Sequence, residues 1–321
     1  MAAPFFSIVI TTYDRAPIVR RCVDSCLAQS FEDFEVVVVD DASSDETVAE
    51  LERIADQRLR LVVHESNRGI SPSRHSGVAK SRGQWIVMVD SDWELFPYTL
   101  ERLHEIIAGL PEGVRVLRSR LIWDDGRVTP AHVPSGPIGY EQRIRWIEAD
   151  PWTDTGLCVH RDVYAKNPYF DDRFGTVEIL WELDLARDET SICVEEILGR
   201  EHIDAPNSYS RPPPASMLRP RLLREAPDLL WMAEATLDRH GAALARHGPR
   251  QYREMLRIAS LQAFTLGDRS KGKRYALESL RVRKLDPMVW ATLALGMLGR
   301  LAVVRGTIAN RRLAGLKRSS A

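Results

Sequence analysis

Three apolar segments in the first third of the chain each end in side chains that carry oxygen. They cover residues 7–13, 36–41 and 85–92. Because their apolar residues do not alternate with polar ones, the segments suit strands buried on both faces, as in a parallel sheet covered by helices. Ligands of such sheets bind beyond the carboxyl ends of the strands. We therefore expect one rim that gathers five side chains: Thr11, Tyr13, Asp41, Asp90 and Asp92.

The order of predicted elements indicates an α/β fold. Strands are predicted at 7–12, 35–40, 59–64 and 85–90. Helices fill the gaps between them, and Ser43 with Glu46 has the spacing of a capping box. Strands that repeat about every 25 residues with a helix in each gap are typical of right-handed β-α-β units. The expected fold is a Rossmann-like, mostly parallel sheet flanked by helices.

The pattern is less regular after Asp92. A helix is predicted at 97–109, a strand at 114–123, loops over 126–155, a short strand at 156–160 and a helix at 177–187. The run Pro212–Pro214 predicts a linker. Four helices are expected beyond it, at 220–240, 249–267, 270–285 and 287–304. We predict two domains, residues 1–210 and residues 211–321.

Charge is distributed unevenly along the chain. Residues 269–321 contain 13 Lys and Arg and 2 Asp and Glu, a net charge of +11, whereas the whole chain has 44 basic and 45 acidic residues. An acidic body with a basic tail suggests an anionic partner for the tail, or a solvated surface. The four cysteines form no C-x-x-C pair, which favours a reducing compartment. The first residues show no pattern of a signal peptide.

The segment Asp90-Ser91-Asp92 is the sharpest chemical motif. One carboxylate of such a pair could bind a divalent cation, while the other holds a ribose hydroxyl or a metal-bound water. The alternative is a helix cap or a surface turn. Arg74 lies close to the predicted start of a helix, where anions such as a diphosphate bind. A metal-bound nucleotide sugar would satisfy all these groups.

In order and spacing these motifs resemble the family-2 glycosyltransferases of GT-A fold. The segments that carry the resemblance are Ser7–Arg15, Val38–Asp45, Asn67–Gly77 and Val89–Asp92, and the resemblance covers about residues 5–210. It implies an inverting transfer of a sugar from a nucleotide diphospho-sugar, most often a UDP-sugar, with Mg²⁺ or Mn²⁺. The chain departs from the family where Trp93 follows the second aspartate, in place of an acidic residue.

The resemblance also implies roles for individual residues. Thr11, Tyr13 and Asp41 would hold the nucleoside, with Tyr13 packed on the base. Arg74 would reach the base or the phosphates, Asp90 the ribose or the sugar, and Asp92 the metal. Trp93 would pack under the donor sugar or mark a different donor preference.

The catalytic base is expected on the helix predicted at 177–187. Alignment on Asp184-Leu185 sets Glu182 at the position of the family's base, with Asp184 as the second candidate. The alternative for both is an exposed helix face paired with Arg187. His202 could lie beside the metal, as in some related enzymes, although a lone histidine is more often structural.

The sequence of the C-terminal part of the chain predicts either contact with a membrane or packing on the protein itself. Residues 261–287 resemble a single helical hairpin of tetratricopeptide type, and Met288–Val304 is largely apolar. Seventeen residues with one arginine are marginal for crossing a bilayer but suit a helix lying in the interface. The alternative is a helix whose apolar face docks on the protein.

The sequence therefore predicts a cytoplasmic glycosyltransferase, with a peripheral position on the inner face of the membrane left open. Its partners would be a nucleotide-sugar donor and a glycan or lipid-linked acceptor, and not nucleic acid. A catalytically inactive nucleotide-sugar-binding protein is the main alternative. A dinucleotide enzyme is disfavoured because no G-x-G-x-x-G follows the first strand.

Overall fold

The structure is a computed structural model that describes residues 3–150, 155–174, 178–204 and 215–319, with the backbone alone for 215–219 and 310–319. The chain divides into two compact units. The first contains Met1–Phe174 and Trp181–Pro206, and the second contains Gly175–Leu180 and Asn207–Ala321.

The first unit is built on one sheet. Its strands are β1 (Phe6–Thr12), β2 (Phe34–Asp40), β3 (Leu59–Val63), β4 (Trp85–Asp90), β5 (Trp93–Leu95), β6 (Val116–Trp123), β7 (Val128–Thr129), β8 (Pro137–Ile138), β9 (Gly156–His160) and β10 (Ser191–Glu201). The helices of this part of the chain are α1 (Val19–Leu27), α2 (Thr47–Glu52), α3 (Ile70–Lys80), α4 (Thr99–Ala108), α5 (Tyr140–Ala149), α6 (Arg161–Lys166) and α7 (Glu178–Asp188).

The strand order is β3-β2-β1-β4-β9-β6-β10-β5, with β7 paired to β6 and β8 to β10. The strands β1 to β4 are parallel, as are β6 and β10. In contrast, β9 runs antiparallel to both β4 and β6. The expected α/β fold with flanking helices is confirmed, and the part of the sheet beyond β4 is mixed.

The sheet separates two apolar cores. Ile8 and Ile10 face α1 and α4, while Val9 faces the side of α6 and α7. All seven residues of β1 and all seven of β2 are buried, which explains why their sequences do not alternate. On α3, a Cβ at Gly77 would lie 2.3 Å from Val9 Cγ1, so the glycine allows this helix to approach the sheet closely.

The sequence prediction for the first unit was wrong at three points. Residues 126–155, expected as loops, contain β7, β8 and α5, and no strand was predicted where β10 lies. Charged side chains at Glu195, Glu196 and Arg200 interrupt the apolar pattern of β10. The capping box was also wrong, because α2 begins at Thr47 without a side-chain cap.

The second unit is helical in its described residues. It contains α8 (Ala215–His247), α9 (Pro249–Leu266), α10 (Arg269–Val282), α11 (Pro287–Leu298) and α12 (Arg300–Ser319). A small core is formed by residues of α8, α9 and α10, among them Leu230, Leu256 and Tyr275. The predicted helix at 287–304 is two helices, because the chain breaks at Gly299, whose φ is +110°. Within the described residues, no helix combines the length and apolarity needed to cross a membrane.

Candidate active site

The carboxyl ends of β1 and β4 form the expected rim. In the parallel register of these strands, Thr11 lies opposite Asp90. Thr11 is buried, whereas the Asp90 side chain is 35% exposed. Asp92 follows two residues later and is half-buried just before β5. The strand pairing thus brings together three of the predicted residues.

Arg74 joins this rim from the first half of α3. Its Nη2 donates a hydrogen bond of 2.9 Å to Asp90 Oδ1, and the side chain is 12% exposed. The guanidinium also lies 5.9 Å from the centre of the Tyr169 ring. An arginine held at this point is well placed to meet an anionic ligand that approaches the open side of Asp90.

Asp92 lies in an electrostatically unfavourable position. Its burial and the neighbouring charge of Asp90 raise the pKa of Asp92 to about 6, although the positive charge of Arg15 opposes the shift. Arg15 Nη1 is itself buried and has no hydrogen-bond partner within the described part of the chain. The sequence interpretation gave Arg15 no role, because a single arginine in a loop has no distinguishing pattern.

The rim fits a cation whose remaining ligands come from elsewhere. Among the residues that the structure describes, no three His, Cys, Asp or Glu side chains are grouped to hold a metal by themselves. Proteins commonly hold Mg²⁺ with one or two carboxylates, and substrate phosphates and water supply the other ligands. Asp92 and Asp90 could form such a site, since a cation beside them would offset the burial and the like-charge repulsion that together raise the pKa of Asp92.

Asp41 already accepts several hydrogen bonds from the protein. Its Oδ1 lies 2.8 Å from His64 Nδ1 and accepts from the backbone N–H of Arg68, while Oδ2 accepts from the N–H of Gly69 at 2.7 Å. Gly69 has a φ of +96°, and a Cβ there would lie 2.2 Å from the carbonyl oxygen of Phe174. Asp41 therefore fixes the turn that leads into α3.

Tyr13 lies in the loop that leaves β1 and is 39% exposed. Hydrogen bonds tie this loop to the one after β2. The N–H of Asp14 donates to Ser43 Oγ at 2.9 Å, and Asp14 Oδ1 accepts from the N–H of Ser44 at 2.7 Å. These hydrogen bonds fix the backbone next to Tyr13, and the side chain of Tyr13 stays accessible to a ligand.

Trp93 and His202 have structural partners. The Trp93 side chain belongs to the core on the α1 side of the sheet and is 8% exposed, so the proposed packing under a donor sugar is wrong. His202 Nε2 lies 3.0 Å from Glu94 and Nδ1 lies 2.9 Å from Asp124. Because carboxylates face both ring nitrogens, this geometry favours the structural role of His202.

The two candidate bases leave α7 in different directions. They are two residues apart, so their side chains point about 200° apart around the helix axis. Asp184 forms an ion pair of 3.1 Å with Arg187 and is 13% exposed. Glu182 accepts from Arg118 Nη2 at 2.6 Å and from Arg143 Nη2 at 3.3 Å. Glu182 is 16% exposed and is not paired with Arg187, so the exposed-face alternative is wrong for this residue.

The two arginines control the ionisation of Glu182. Burial alone would raise its pKa, but the charges and hydrogen bonds of Arg118 and Arg143 outweigh burial and lower the pKa to about 2. The sequence interpretation did not include either arginine. Arg118 could have been found, because an arginine that shares a strand face with the apolar Val116 indicates a partner of opposite charge if that face is buried.

The lowered pKa makes a prediction about acid stability. A carboxylate whose pKa falls from 4.5 to about 2 on folding contributes stability above pH 4.5 and loses it as the pH falls toward 2. The full contribution is about 3 kcal/mol, of which about 2 kcal/mol should be lost by a pH of about 3. Urea unfolding between pH values of about 6 and 3 should show that the difference in free energy between wild type and Glu182→Gln shrinks by that amount.

A matched control for this measurement is Glu195→Gln, which changes an exposed carboxylate. Its difference from wild type should stay nearly constant over the same pH range. A difference for Glu182→Gln that is equally independent of pH would contradict the ion-pair geometry.

Comparisons with known proteins agree with the predicted fold and family. Residues 7–158 match the model of the family described as "Glycosyl transferase family 2". The chain is 40% identical over 102 residues to the succinoglycan biosynthesis protein ExoO of Rhizobium meliloti (strain 1021). This match covers 32% of this chain and 29% of that protein. It is 35% identical over 104 residues to the uncharacterized glycosyltransferase EpsJ of Bacillus subtilis (strain 168), covering 32% and 30%. The matches thus span less than a third of these relatives' lengths.

Solved structures share the fold at low sequence identity. S. aureus TarS 1-349 in complex with UDP-GlcNAc is 17% identical, with a TM-score of 0.58 over 97% of this chain and 92% of that chain. The mannosyltransferase PcManGT from Pyrobaculum calidifontis, in complex with GDP-Man and Mn²⁺, is also 17% identical, with a TM-score of 0.50 over 99% and 87%. Residues 7–158 thus match glycosyltransferase family 2 in sequence, and the chain shares its fold with these two solved structures.

Proposed function

We propose that this chain is a glycosyltransferase that moves a sugar from a nucleotide diphospho-sugar to a hydroxyl group of a glycan or lipid-linked acceptor. The observation that carries the proposal is the rim at the ends of β1 and β4. There Arg74 donates a hydrogen bond to Asp90, and burial and the charge of Asp90 raise the pKa of Asp92. The donors bound to the two structural neighbours, UDP-GlcNAc and GDP-Man, support this class of ligand. A UDP-sugar is the donor that we propose.

On the donor side, each rim residue has a proposed partner. Thr11, Tyr13 and Asp41 contact the nucleoside, Arg74 and Arg15 bind the diphosphate, and Asp90 binds a hydroxyl of the ribose or the sugar. Asp41 keeps acceptor capacity for this contact, because two oxygens offer four lone pairs and three protein donors are bound. Asp92 would hold Mg²⁺ or Mn²⁺, which when bound neutralises charge on the leaving diphosphate.

On the acceptor side, Glu182 is the proposed base. In the sheet, Arg118 of β6 lies opposite Leu157 of β9, which in turn lies opposite Met88 of β4. Asp90 follows Met88 by two residues and therefore has its side chain on the same face, so Arg118 and Asp90 share a face of the sheet. Two strand spacings and two residues along the strand separate their Cα atoms by about 12 Å. Glu182, bound to Arg118, is ionised and accepts the proton of the acceptor hydroxyl while the oxygen of that hydroxyl attacks the anomeric carbon from the face opposite the diphosphate. The bond from this carbon to the diphosphate breaks, the nucleoside diphosphate leaves, and the centre is inverted. Because a pKa of about 2 makes Glu182 a weak base, the proton is transferred during the attack and not before it.

Turnover tests this proposal. We expect the wild-type chain with Mn²⁺ to release a nucleoside diphosphate from a member of a panel of UDP-, GDP- and dTDP-sugars. Glu182→Gln keeps the size of the side chain but removes a base, so the rate should fall by roughly 10²–10⁴-fold with donor affinity nearly unchanged. The matched variant is Asp184→Asn on the same helix, which should retain most of the activity. Far-UV circular dichroism confirms that both variants fold.

The other outcomes are equally informative. An inactive Asp184→Asn beside an active Glu182→Gln would reverse the two roles. A wild-type chain that binds a donor but never releases the nucleotide would be an inactive nucleotide-sugar-binding protein, and the transferase proposal would fail.

We also propose that the second unit contacts an anionic membrane, where a lipid-linked acceptor would be found. The helix α11 contains no charged residue. Its buried residues, Val289, Thr292 and Gly296, lie on one side of the helix. The other side exposes Trp290, and Leu298 at the end of the helix is 77% exposed. Exposed basic residues flank α11 in the chain: Arg283, Lys284, Arg300 and Arg305. An apolar helix side with basic flanks suits interfacial binding, with about 1 kcal/mol for each basic residue near the surface.

Vesicle sedimentation tests the membrane proposal. The full chain should pellet with vesicles of phosphatidylcholine and phosphatidylserine, and less so at high salt, because the attraction of the basic residues is screened. The double variant Trp290→Ser, Leu298→Ser should remain in the supernatant, since its apolar contact is lost. The control Val63→Ser changes an exposed apolar residue of the first unit and should pellet like wild type. Wild type that ignores the vesicles would favour the alternative, a packing role for the tail.

A further inference from the structure

Arg118, Arg143 and Glu182 form a buried group, called here the arginine cluster, in which positive charge exceeds negative charge. Arg118 comes from β6, Arg143 from α5 and Glu182 from α7. The side chains of the two arginines are 1% and 5% exposed. Two guanidinium groups therefore share one carboxylate in a site that is almost closed to solvent.

The hydrogen bonds of the cluster are incomplete. Arg118 uses Nη1 and Nη2 toward Glu182, with Nη1 also 3.3 Å from Thr155 Oγ1, and Arg143 uses Nη2 toward Glu182. Within the described residues, Nε of Arg118 and both Nε and Nη1 of Arg143 are buried without a hydrogen-bond partner. Three N–H groups of the two arginines thus have no acceptor among the residues that the structure describes.

The described neighbours of the cluster do not compensate for this charge. The Trp146 ring lies 5.0 Å from the Arg143 guanidinium, which gives a cation–π contact but accepts no proton. Cys193 of β10 also faces the arginines, and its burial raises the pKa of the thiol to about 11, so it stays neutral. Burial and the charge of Arg118 lower the pKa of Arg143 to about 10, which still leaves it a cation at neutral pH.

An unpaired buried charge is costly, and groups of this kind are normally paired or bound to a ligand. One anion with a single negative charge would neutralise the cluster and could accept from all three free donors. Carboxylate and phosphate groups match the planar fork of a guanidinium, because each offers two oxygens at the required spacing. A neutral ligand could accept hydrogen bonds from these N–H groups, but it would leave the net positive charge of the cluster unbalanced.

We propose that the arginine cluster is an anion-binding site, which takes a carboxylate or phosphate group of the acceptor beside the proposed base. The acceptor part of this inference rests on the proposed function, since Glu182 would take the proton of the reacting hydroxyl. It defines the acceptor class further: the sugar or lipid head group that receives the donor sugar carries an acidic group close to its reacting hydroxyl. The anion site itself follows from the cluster alone.

Nuclear magnetic resonance of the arginine Nε–H groups in the full chain tests the anion site directly. The signals of Arg118 and Arg143 are assigned with Arg118→Lys and Arg143→Lys. Inorganic phosphate and acetate are then titrated separately at constant ionic strength. We expect saturable shifts of both signals. Saturation with phosphate alone would indicate a phosphate-bearing acceptor, and saturation with acetate alone an acceptor with a carboxylate. Signals that respond to neither anion would overturn the proposal.

Three variants give the site a signature that a purely structural ion pair lacks. Arg143→Gln should weaken anion binding by at least about tenfold, because a charge-assisted hydrogen bond is lost. Glu182→Gln should strengthen binding, because the competing carboxylate is gone. Arg145→Gln, two residues along the same helix and exposed, should leave binding unchanged. Equal binding in all three variants would place the anion elsewhere and overturn the proposal.

These measurements do not depend on turnover, so the two proposals can fail separately. Anion binding together with an active Glu182→Gln variant would remove the base assignment and keep the anion site. Loss of activity in Glu182→Gln without any anion binding in wild type would keep the base and remove the site.

Discussion

Every proposed contact to the donor depends on the parallel pairing of β1 with β2 and β4. This pairing ends the three strands at nearly the same level, with Thr11 opposite Asp90 and Thr12 opposite Asp40. Burial on both faces leaves the strand ends as the point where polar side chains emerge. A shift by one residue in β4 would turn Asp90 to the other face of the sheet and separate it from Arg74. The register is therefore the condition on which the rim exists.

The two sides of the site have opposite charge balance. At the rim, burial beside Asp90 makes the ionised form of Asp92 costly, which suits a cation and the diphosphate that accompanies it. On the proposed acceptor side, two buried arginines share one carboxylate. Since a buried charge is stabilised by a partner of opposite sign, each side favours a different ligand group. The charge pattern thus separates the proposed donor side from the proposed acceptor side.

The sequence predicted the features that depend on local pattern. Unbroken apolar runs identified β1, β2 and β4, and the carboxylates after them indicated the rim. It did not predict α5 or β10, because charged residues obscure their apolar faces. It also could not show that Trp93 faces the core, since an aromatic residue after the aspartate pair fits either environment. The partners of Glu182 lie 64 and 39 residues away in sequence, and only the folded chain reveals that they meet.

The central claim is that the rim binds a nucleotide diphospho-sugar together with a divalent cation. Thermal unfolding of the full chain with UDP-, GDP- and dTDP-sugars, each with and without Mn²⁺, tests it most directly, because a ligand that binds only the folded state raises its stability. The account predicts that at least one donor raises the melting temperature more with Mn²⁺ than without it, and that Asp92→Asn removes this additional rise while the variant remains folded. No donor-dependent rise in wild type, or the same Mn²⁺-dependent rise in Asp92→Asn, would contradict it.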